Sequence, residues 1–185
     1  MSEIAKIGVF MADGCEEIEA LTVVDIARRA GIEAVMISVS GGRTIHGSHG
    51  IAFEADISKQ DVDFSELDGI VLPGGVKGTE NLGVDETVLE MIREFTREDK
   101  LVAAICAAPS VLGLNHILEG RHATCHPGWE DKLLGAICEE DDVVCDGNVI
   151  TSRGMGTAIP FALAIVDHFT DVSTVEHVKK GLVYA

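Results

Sequence analysis

Short runs of consecutive apolar residues alternate along the chain with longer segments in which apolar residues recur every three or four positions. The clearest runs cover residues 5–11, 33–39, 69–72 and 101–105. Short, continuous runs are typical of strands buried on both faces, whereas the longer spacing is typical of helices packed against a sheet. The alternation predicts an α/β fold: a mostly parallel central sheet with helices on both faces.

Weaker patterns complete the predicted architecture. Helices are expected over residues 16–30, 85–98, 107–116, 157–169 and 173–180. A side ribbon (44–45 with 51–53), a strand near 122–124 and a hairpin over 143–151, turning at Asp146-Gly147, are also expected. No linker, repeat or low-complexity stretch interrupts the pattern, so we expect residues 1–185 to form a single domain.

Charge narrows the range of partners. The chain has 31 acidic and 14 basic residues, a formal net charge of -17. Such a surface repels nucleic acid and anionic membranes, so we expect neither as a partner. There is no secretory pattern or membrane-spanning apolar run, and the five cysteines include no C-x-x-C pair. These features predict a cytoplasmic protein with reduced thiols.

Cys106 lies where the apolar strand 101–105 meets the helix predicted after it. Pro109 supports this boundary, because proline is tolerated in the first turn of a helix. The partial positive charge and free amides of a helix N-terminus favour a thiolate, which predicts a nucleophile at Cys106. The alternative is an inert cysteine buried in the core.

Glu19 shares a stripe of the first predicted helix with Val23 and Ile26. A carboxyl group there is expected to be half-buried, and burial raises its pKa. Such a group could donate a hydrogen bond to a thiolate or act as a general acid or base. The alternative is an exposed glutamate in an acidic patch with Glu16 and Glu17.

Two further segments follow predicted strands. Gly74 and Gly75 offer amides that could hold an oxyanion, although a simple tight turn fits as well. His126 precedes Pro127, which favours an extended backbone, so its ring could move protons at the site; an ordinary loop histidine is the alternative. The spacing of His122, Cys125 and His126 matches no zinc pattern, so we expect no metal.

Three charged residues have weaker claims. Asp25 could orient a histidine, but Arg29 four residues later makes a surface ion pair the simpler interpretation. Arg153 precedes a predicted helix within Arg153-Gly154-Met155-Gly156 and could bind an anion there. The segment lacks the last glycine of G-x-G-x-x-G, since residue 159 is Ile. We therefore expect neither a dinucleotide nor another cofactor.

Together these segments resemble the ThiJ/PfpI family, in the branch that contains the parkinsonism-associated deglycase. The likeness spans nearly the whole chain in order, and the set of motifs is specific although no single motif is. The matching stretches are Gly14 to Glu19, Val24 to Ile26, Arg28 to Gly31, Val71 to Gly75, Ala103 to Pro109, His126-Pro127, Thr151 to Thr157 and Phe161 to Val166.

The resemblance implies a flavodoxin-like sandwich that forms a homodimer. It implies Cys106 as nucleophile and oxidation-prone thiol, with Glu19 hydrogen-bonded to it. The amides of Gly75 and Ala107 would line an oxyanion pocket, and His126 would lie beside the thiol with Asp25 behind it. The activities implied are glutathione-independent glyoxalase, protein deglycation, redox sensing and chaperone activity; older descriptions link bacterial members to thiamine synthesis.

Two departures from the family pattern, at residues 108 and 49, and one contrast with the protease branch, at residue 107, qualify the expected function. Residue 108 is Ala where many members have Gly, which adds a methyl group to the first helical turn. His49 stands where the human member has Arg, which removes an arginine-dependent anion contact expected across the dimer interface. Residue 107 is Ala, whereas the protease branch has His after the nucleophile, which disfavours a peptidase or amidase.

The sequence leaves two main functions open. One is a cofactor-independent cysteine enzyme acting on small 2-oxoaldehydes or their adducts. The other is a non-catalytic redox sensor or stress-response chaperone. Both depend on an activated sulfur at Cys106, and the sequence does not rank them.

Overall fold

The computed structural model describes residues 4–184. Its centre is a seven-stranded sheet in the order β10-β11-β7-β6-β1-β2-β5, in which only β10 is antiparallel to its neighbour. This confirms the predicted mostly parallel sheet. The strands are β1 Lys6–Met11, β2 Glu33–Ser38, β3 Thr44–His46, β4 Ala52–Glu54, β5 Ile57–Ser58, β6 Gly69–Leu72, β7 Leu101–Ile105, β8 His122–Ala123, β9 Ile137–Cys138, β10 Val143–Asp146 and β11 Val149–Ser152.

Of the six α-helices within residues 4–184, all but α2 follow predicted segments, with boundaries shifted by a few residues. They are α1 Glu17–Arg29, α2 Val76–Gly83, α3 Glu86–Arg97, α4 Pro109–Leu114, α5 Ala158–Phe169 and α6 Val172–Leu182. Acidic caps fix several beginnings: Asp85 accepts the amide of Val88 in α3, and Asp171 accepts that of Thr174 in α6. Each cap satisfies an amide that has no partner within the helix.

Helices cover both faces of the sheet, which confirms the flavodoxin-like sandwich. Alternate residues of β1 point to opposite sides: Val9 joins a core cluster with α1, α5 and α6, and Phe10 joins a second with α3 and α4. β7 divides in the same way, with Ala103 on the first side and Ala104 on the second. Because both faces are packed, the strands read as continuous apolar runs.

Three elements were not predicted. Helix α2 contains two glycines and polar residues, so its local propensity is low. It forms because Gly78 lies against the backbone of Cys15, where a Cβ atom would come within 2.6 Å of Cys15 Cα. The strands β5 and β9 have two residues each and carry no periodic pattern. The ribbon β3–β4 and the β10–β11 hairpin confirm the expected pairings.

The carboxyl ends of the parallel strands form one edge of the sheet, where ligand sites are common in such folds. β6 ends there before Gly74, β7 before Cys106 and β11 before Arg153. Helix α1 begins at the same edge after β1. Among residues 4–184, no helix combines the length and apolarity required to traverse a bilayer.

Candidate active site

Cys106 forms a strained junction between β7 and α4. Its φ angle is 66°, in the left-handed region that non-glycine residues seldom adopt. Hydrogen bonds hold this conformation: its amide donates to the carbonyl of Ser152 at 3.0 Å, and its carbonyl accepts the amide of His126 at 2.8 Å. The side chain is half-buried and opens into a cleft. A strained turn that presents a nucleophile at the end of a strand is also used by α/β hydrolases.

Glu19 lies beneath the cysteine and is more buried than the sequence predicts, with only 1% of its surface exposed. Its Oε2 accepts the amide of Gly74 at 2.9 Å. Its own amide donates to Oε2 of Glu16, the cap of α1, at 2.9 Å. The first turn of α1 therefore fixes the carboxyl group against the end of β6.

Gly74 provides the space in which the carboxyl group and the thiol meet. A Cβ atom on this residue would lie 2.5 Å from Oε2 of Glu19, 2.6 Å from Cβ of Cys106 and 2.9 Å from the carbonyl oxygen of Ile105. Only glycine fits these distances. The amide of Gly74 is already bonded to Glu19, so the expectation that it is free for an oxyanion is wrong.

The amides of Gly75 and Ala107 point at the sulfur and lower the pKa of the Cys106 thiol. Gly75 reaches this position with a φ of 87°, and a Cβ atom there would come within 2.4 Å of the carbonyl oxygen of Gly14. The two amides approach from different elements, the start of α2 and the turn before α4. They are arranged to stabilise negative charge on the sulfur or on an oxygen added next to it.

Burial dominates the titration of the Cys106–Glu19 pair. Desolvation raises the pKa of Glu19 to about 7, although the neighbouring thiol and the Gly74 amide oppose it. Desolvation, followed by the charge of Glu19, raises the pKa of the Cys106 thiol above its ordinary value despite the two amides. The carboxyl group of Glu19 is therefore the first of the two to lose its proton near neutral pH, and the sulfur can gain negative charge when its own proton moves to Glu19.

His126 lies at the mouth of the cleft with an exposed ring. Its Nδ1 is 3.0 Å from the carbonyl oxygen of Pro127. Gly154 separates it from the carboxyl group: a Cβ atom on that glycine would lie 3.5 Å from Cδ2 of His126 and 4.0 Å from Oε1 of Glu19. The predicted trio of Cys106, Glu19 and His126 therefore meets at one place, with Gly154 as a residue that sequence reasoning missed.

The cleft above the sulfur has a volume of about 700 Å³. The loop between β3 and β4 forms one side of the cleft. His49, which stands where the human family member has Arg, therefore lies within the site. His46, Lys77 and Trp129 also line the cleft and were not predicted, because no sequence pattern links them to Cys106. His46, His49 and Lys77 bring basic groups to the cleft of a protein with a formal net charge of -17.

The three supporting residues lie away from the thiol. Asp25 pairs with Arg29 on the exposed side of α1, as its spacing suggested. The guanidinium group of Arg153 donates to the carbonyl oxygen of Glu140 at 3.0 Å. None of the three lines the cleft.

One group of side chains has the composition of a metal site. Glu16, Glu17 and His49 bring ligand atoms within 4.8 Å of one another. Glu17 is buried, and its Oε1 accepts the amides of His49 at 2.7 Å and Ile51 at 3.4 Å. Burial alone would raise the pKa of Glu17, but these hydrogen bonds lower it. The carboxylate is thus occupied in holding the β3–β4 loop.

Comparisons with known proteins agree with this architecture. The chain is 37% identical to the protein dj-1beta of Drosophila melanogaster over 179 residues, which is 96% of each chain. The crystal structure of that protein superposes with a TM-score of 0.94 at 35% identity and covers 99% of this chain and 100% of the other. Fold and sequence agree over the full length of both chains.

Two further relatives are informative. The structure described as Toxoplasma gondii DJ-1, oxidized, is 32% identical with a TM-score of 0.94 and covers 98% of this chain and 99% of its own. The deglycase PYRAB04690 of Pyrococcus abyssi is 31% identical over 153 residues, covering 82% of this chain and 91% of its own. The model of the DJ-1/PfpI family, also called ThiJ/PfpI, matches residues 5–168. This chain therefore belongs to the DJ-1/PfpI family.

Proposed function

We propose that the protein is a cofactor-independent cysteine enzyme that acts on small 2-oxoaldehydes or their adducts. The observation that carries the proposal is the buried carboxyl group of Glu19 set against the sulfur of Cys106, with two amides pointing at the same sulfur. A carboxyl group with a pKa near 7 suits proton transfer at neutral pH. The deglycase relative from Pyrococcus abyssi supports an enzymatic role.

The reaction begins when Glu19 takes the thiol proton as Cys106 Sγ attacks the aldehyde carbon. A C–S bond forms, and the carbonyl oxygen becomes an oxyanion beside the amides of Gly75 and Ala107. Protonation of this oxygen by Glu19 gives a hemithioacetal. The substrate stays in the cleft between the β3–β4 loop and Trp129.

The second half moves hydrogen within the substrate. Glu19 or His126 removes the proton from the former aldehyde carbon and returns a proton to the neighbouring carbon, so one carbon is oxidised and the other reduced. The product is a thioester of a 2-hydroxy acid. Water then cleaves the C–S bond, releases the acid and restores the thiol, so that methylglyoxal plus water gives lactate without an external oxidant.

The test is lactate formation from methylglyoxal in the absence of glutathione, followed with purified protein. Wild type should produce lactate, and Cys106→Ala should reduce the rate to background. A variant on the far side of the fold, Val172→Ala, is the matched control and should keep the wild-type rate, because residue 172 is exposed at the start of α6. Turnover that survives Cys106→Ala would contradict the mechanism.

A redox sensor is the second candidate, favoured by the relative described as oxidized. Oxidation of Cys106 to a sulfinate adds two oxygens, and a protonated Glu19 could donate a hydrogen bond to one of them. Cys138 and Cys145 are exposed and serve as internal references. After mild peroxide treatment, mass spectrometry should find two added oxygens mainly on Cys106; equal oxidation of the three thiols would contradict a sensor role.

A peptidase or amidase is disfavoured because Ala107 offers no histidine next to the nucleophile. His126 lines the cleft, and its Nδ1 faces the carbonyl of Pro127. Trapping of an acyl-enzyme on Cys106 with a panel of peptides and amides would reverse this ranking.

A homodimer fits one surface of the fold. Ile18, Ile51 and Ile159 are 50%, 54% and 37% exposed, and together they line a shallow cavity with Leu21 and Leu182. Exposed apolar side chains gathered in one place mark an interaction surface. We propose that a second copy covers it, and that the protein acts in the cytoplasm on a small carbonyl substrate.

A further inference from the structure

A second cavity lies beside the catalytic cleft, between α2 and α4. Its volume is about 270 Å³, and its apolar lining includes Val84, Val111 and Leu114. Val84 and Leu114 are 77% and 54% exposed. Trp129 lines both this cavity and the cleft that holds Cys106, so the two are adjacent.

The cavity contains a buried hydroxyl group that lacks a partner. Thr79 is 4% exposed, and its Oγ1 makes no hydrogen bond among the residues that the structure describes. The neighbouring hydroxyl of Ser110 donates instead to the carbonyl of Ala107 at 2.6 Å. Leaving a hydroxyl without a partner costs free energy, and a polar atom of a bound molecule would remove that cost.

A positive charge stands at the rim. Nζ of Lys132 lies 3.7 Å from the centre of the Trp129 ring, a cation–π contact. Among residues 4–184 the Lys132 ammonium group forms no ion pair, whereas the one carboxylate of the cavity lining, Glu80, is paired with Lys77 at 3.1 Å. An anionic group would therefore find an uncompensated charge beside the apolar wall.

We propose that this cavity is a subsite for the body of an extended substrate: an unbranched aliphatic chain with a carboxylate, held by Thr79 and Lys132 while the reacting carbonyl lies at Cys106. The inference rests on the proposed function for the identity of the reacting end. Binding of the chain itself does not require catalysis, so the two ideas are tested separately.

The sequence provides its own probe, because Trp129 is the only tryptophan. Titration with hexanoate should change the tryptophan fluorescence along a saturable curve. Hexanamide has the same chain without the charge and should bind several-fold more weakly, and acetate should give no saturable change because it lacks the chain. The absence of a saturable change with hexanoate would overturn the subsite and leave the Thr79 hydroxyl to solvent.

Variants identify where the probe binds. Gly83→Leu should abolish the response, since the new side chain grows into the cavity; its Cβ atom would meet only Val111, at 3.7 Å. Thr79→Val should weaken hexanoate binding about fivefold while leaving the fold at least as stable, because it removes a hydroxyl that has no partner. Hexanoate binding that survives both substitutions would overturn the proposal.

The role of charge has a matched control. Lys132→Met keeps an apolar stem over Trp129 and should weaken hexanoate binding about three- to tenfold without changing hexanamide binding. Lys100→Met alters the other lysine that lies over an aromatic ring, 5.0 Å from the centre of Phe95, and should change neither. An equal effect of both lysine variants would contradict a carboxylate at Lys132. If wild type binds hexanoate but forms no lactate from methylglyoxal, the proposed function is refuted and the subsite is retained.

Discussion

The amide of Gly74 donates a hydrogen bond of 2.9 Å to Oε2 of Glu19, which lies 55 positions earlier in the chain. The carbonyl of Gly74 in turn accepts the amide of Glu16 at 3.0 Å. The end of β6 and the first turn of α1 are therefore joined twice, and the carboxyl group of Glu19 is held by a backbone amide rather than by a flexible side chain.

Gly74→Ala should damage both stability and activity. The new methyl group would overlap Glu19, Cys106 and the carbonyl of Ile105, and that carbonyl is part of the sheet and cannot move aside. We expect a loss of about 1–3 kcal/mol in the free energy of unfolding, measured with urea, and a large loss of lactate formation. Gly41→Ala is the control, because its methyl group meets nothing within 4 Å. Equal stability of the two variants would contradict the close packing.

Glu19→Gln should change how stability depends on pH. The pKa of Glu19 is raised from 4.5 to about 7 in the folded protein, so the neutral form favours folding. Wild type keeps this stability below pH 4.5, loses it between pH 4.5 and 7, and loses no more above pH 7. The loss is at most about 3 kcal/mol.

The glutamine variant does not titrate at this position and retains an acceptor for the Gly74 amide. Its stability relative to wild type should therefore rise between pH 5 and 7 and then level off, as measured by urea unfolding at several pH values. A difference that stays constant across this range would show that Glu19 has an ordinary pKa.

The same variant should change the reactivity of Cys106. If Glu19 accepts the thiol proton during attack, the rate of alkylation by iodoacetamide should rise in wild type with an apparent pKa near 7, that of the coupled pair. Glu19→Gln removes the base. The rise in alkylation rate should then occur at the raised pKa of the buried thiol, and alkylation at pH 7.5 should be about tenfold slower than in wild type.

Cys106→Ala supplies the background from the other thiols in this assay. Superimposable pH profiles for wild type and Glu19→Gln would exclude Glu19 as the base. A wild-type step near 8.5 would show that the environment leaves the thiol unactivated.

Ile51→Glu should convert the proposed dimer into a monomer, because it places a charge in the apolar surface of Ile18 and Ile159. Light scattering coupled to gel filtration would measure the mass. Val172→Glu is a matched control, because Val172 is 71% exposed at the start of α6 and does not line this cavity. A monomeric wild type, or a dimer that survives Ile51→Glu, would remove the basis for this interface.

The fold was largely predictable because burial on both faces leaves uninterrupted apolar runs at β1, β6 and β7. Helix α2 was not, since its formation depends on close approach to Cys15 rather than on its own residues. Cys106 and Glu19 were identified from their places on a strand end and an apolar stripe. The upward shift of the Cys106 thiol pKa could not be predicted from the sequence. A helix start favours ionisation locally, but the burial and the charge of Glu19 that oppose it come from residues distant in the chain.

Residues contributed by the β3–β4 loop were equally hidden from the sequence. His46 and His49 reach the cleft because Glu17 binds the loop backbone, a contact between residues 32 positions apart in the case of His49. Trp129 follows a proline turn with no pattern that marks it as part of two cavities. Such neighbours become visible only when the chain is folded.

Three glutamates at the start of α1 have different roles: Glu16 caps the helix, Glu17 binds the backbone of the β3–β4 loop, and Glu19 lies against the thiol. Each residue of an α-helix turns by about 100°, so inserting or deleting one residue between Glu17 and Glu19 would leave the cap and the loop anchor in place but turn the third carboxyl group away from the thiol. The spacing of these three glutamates is therefore a constraint on α1 that is separate from its packing against the sheet.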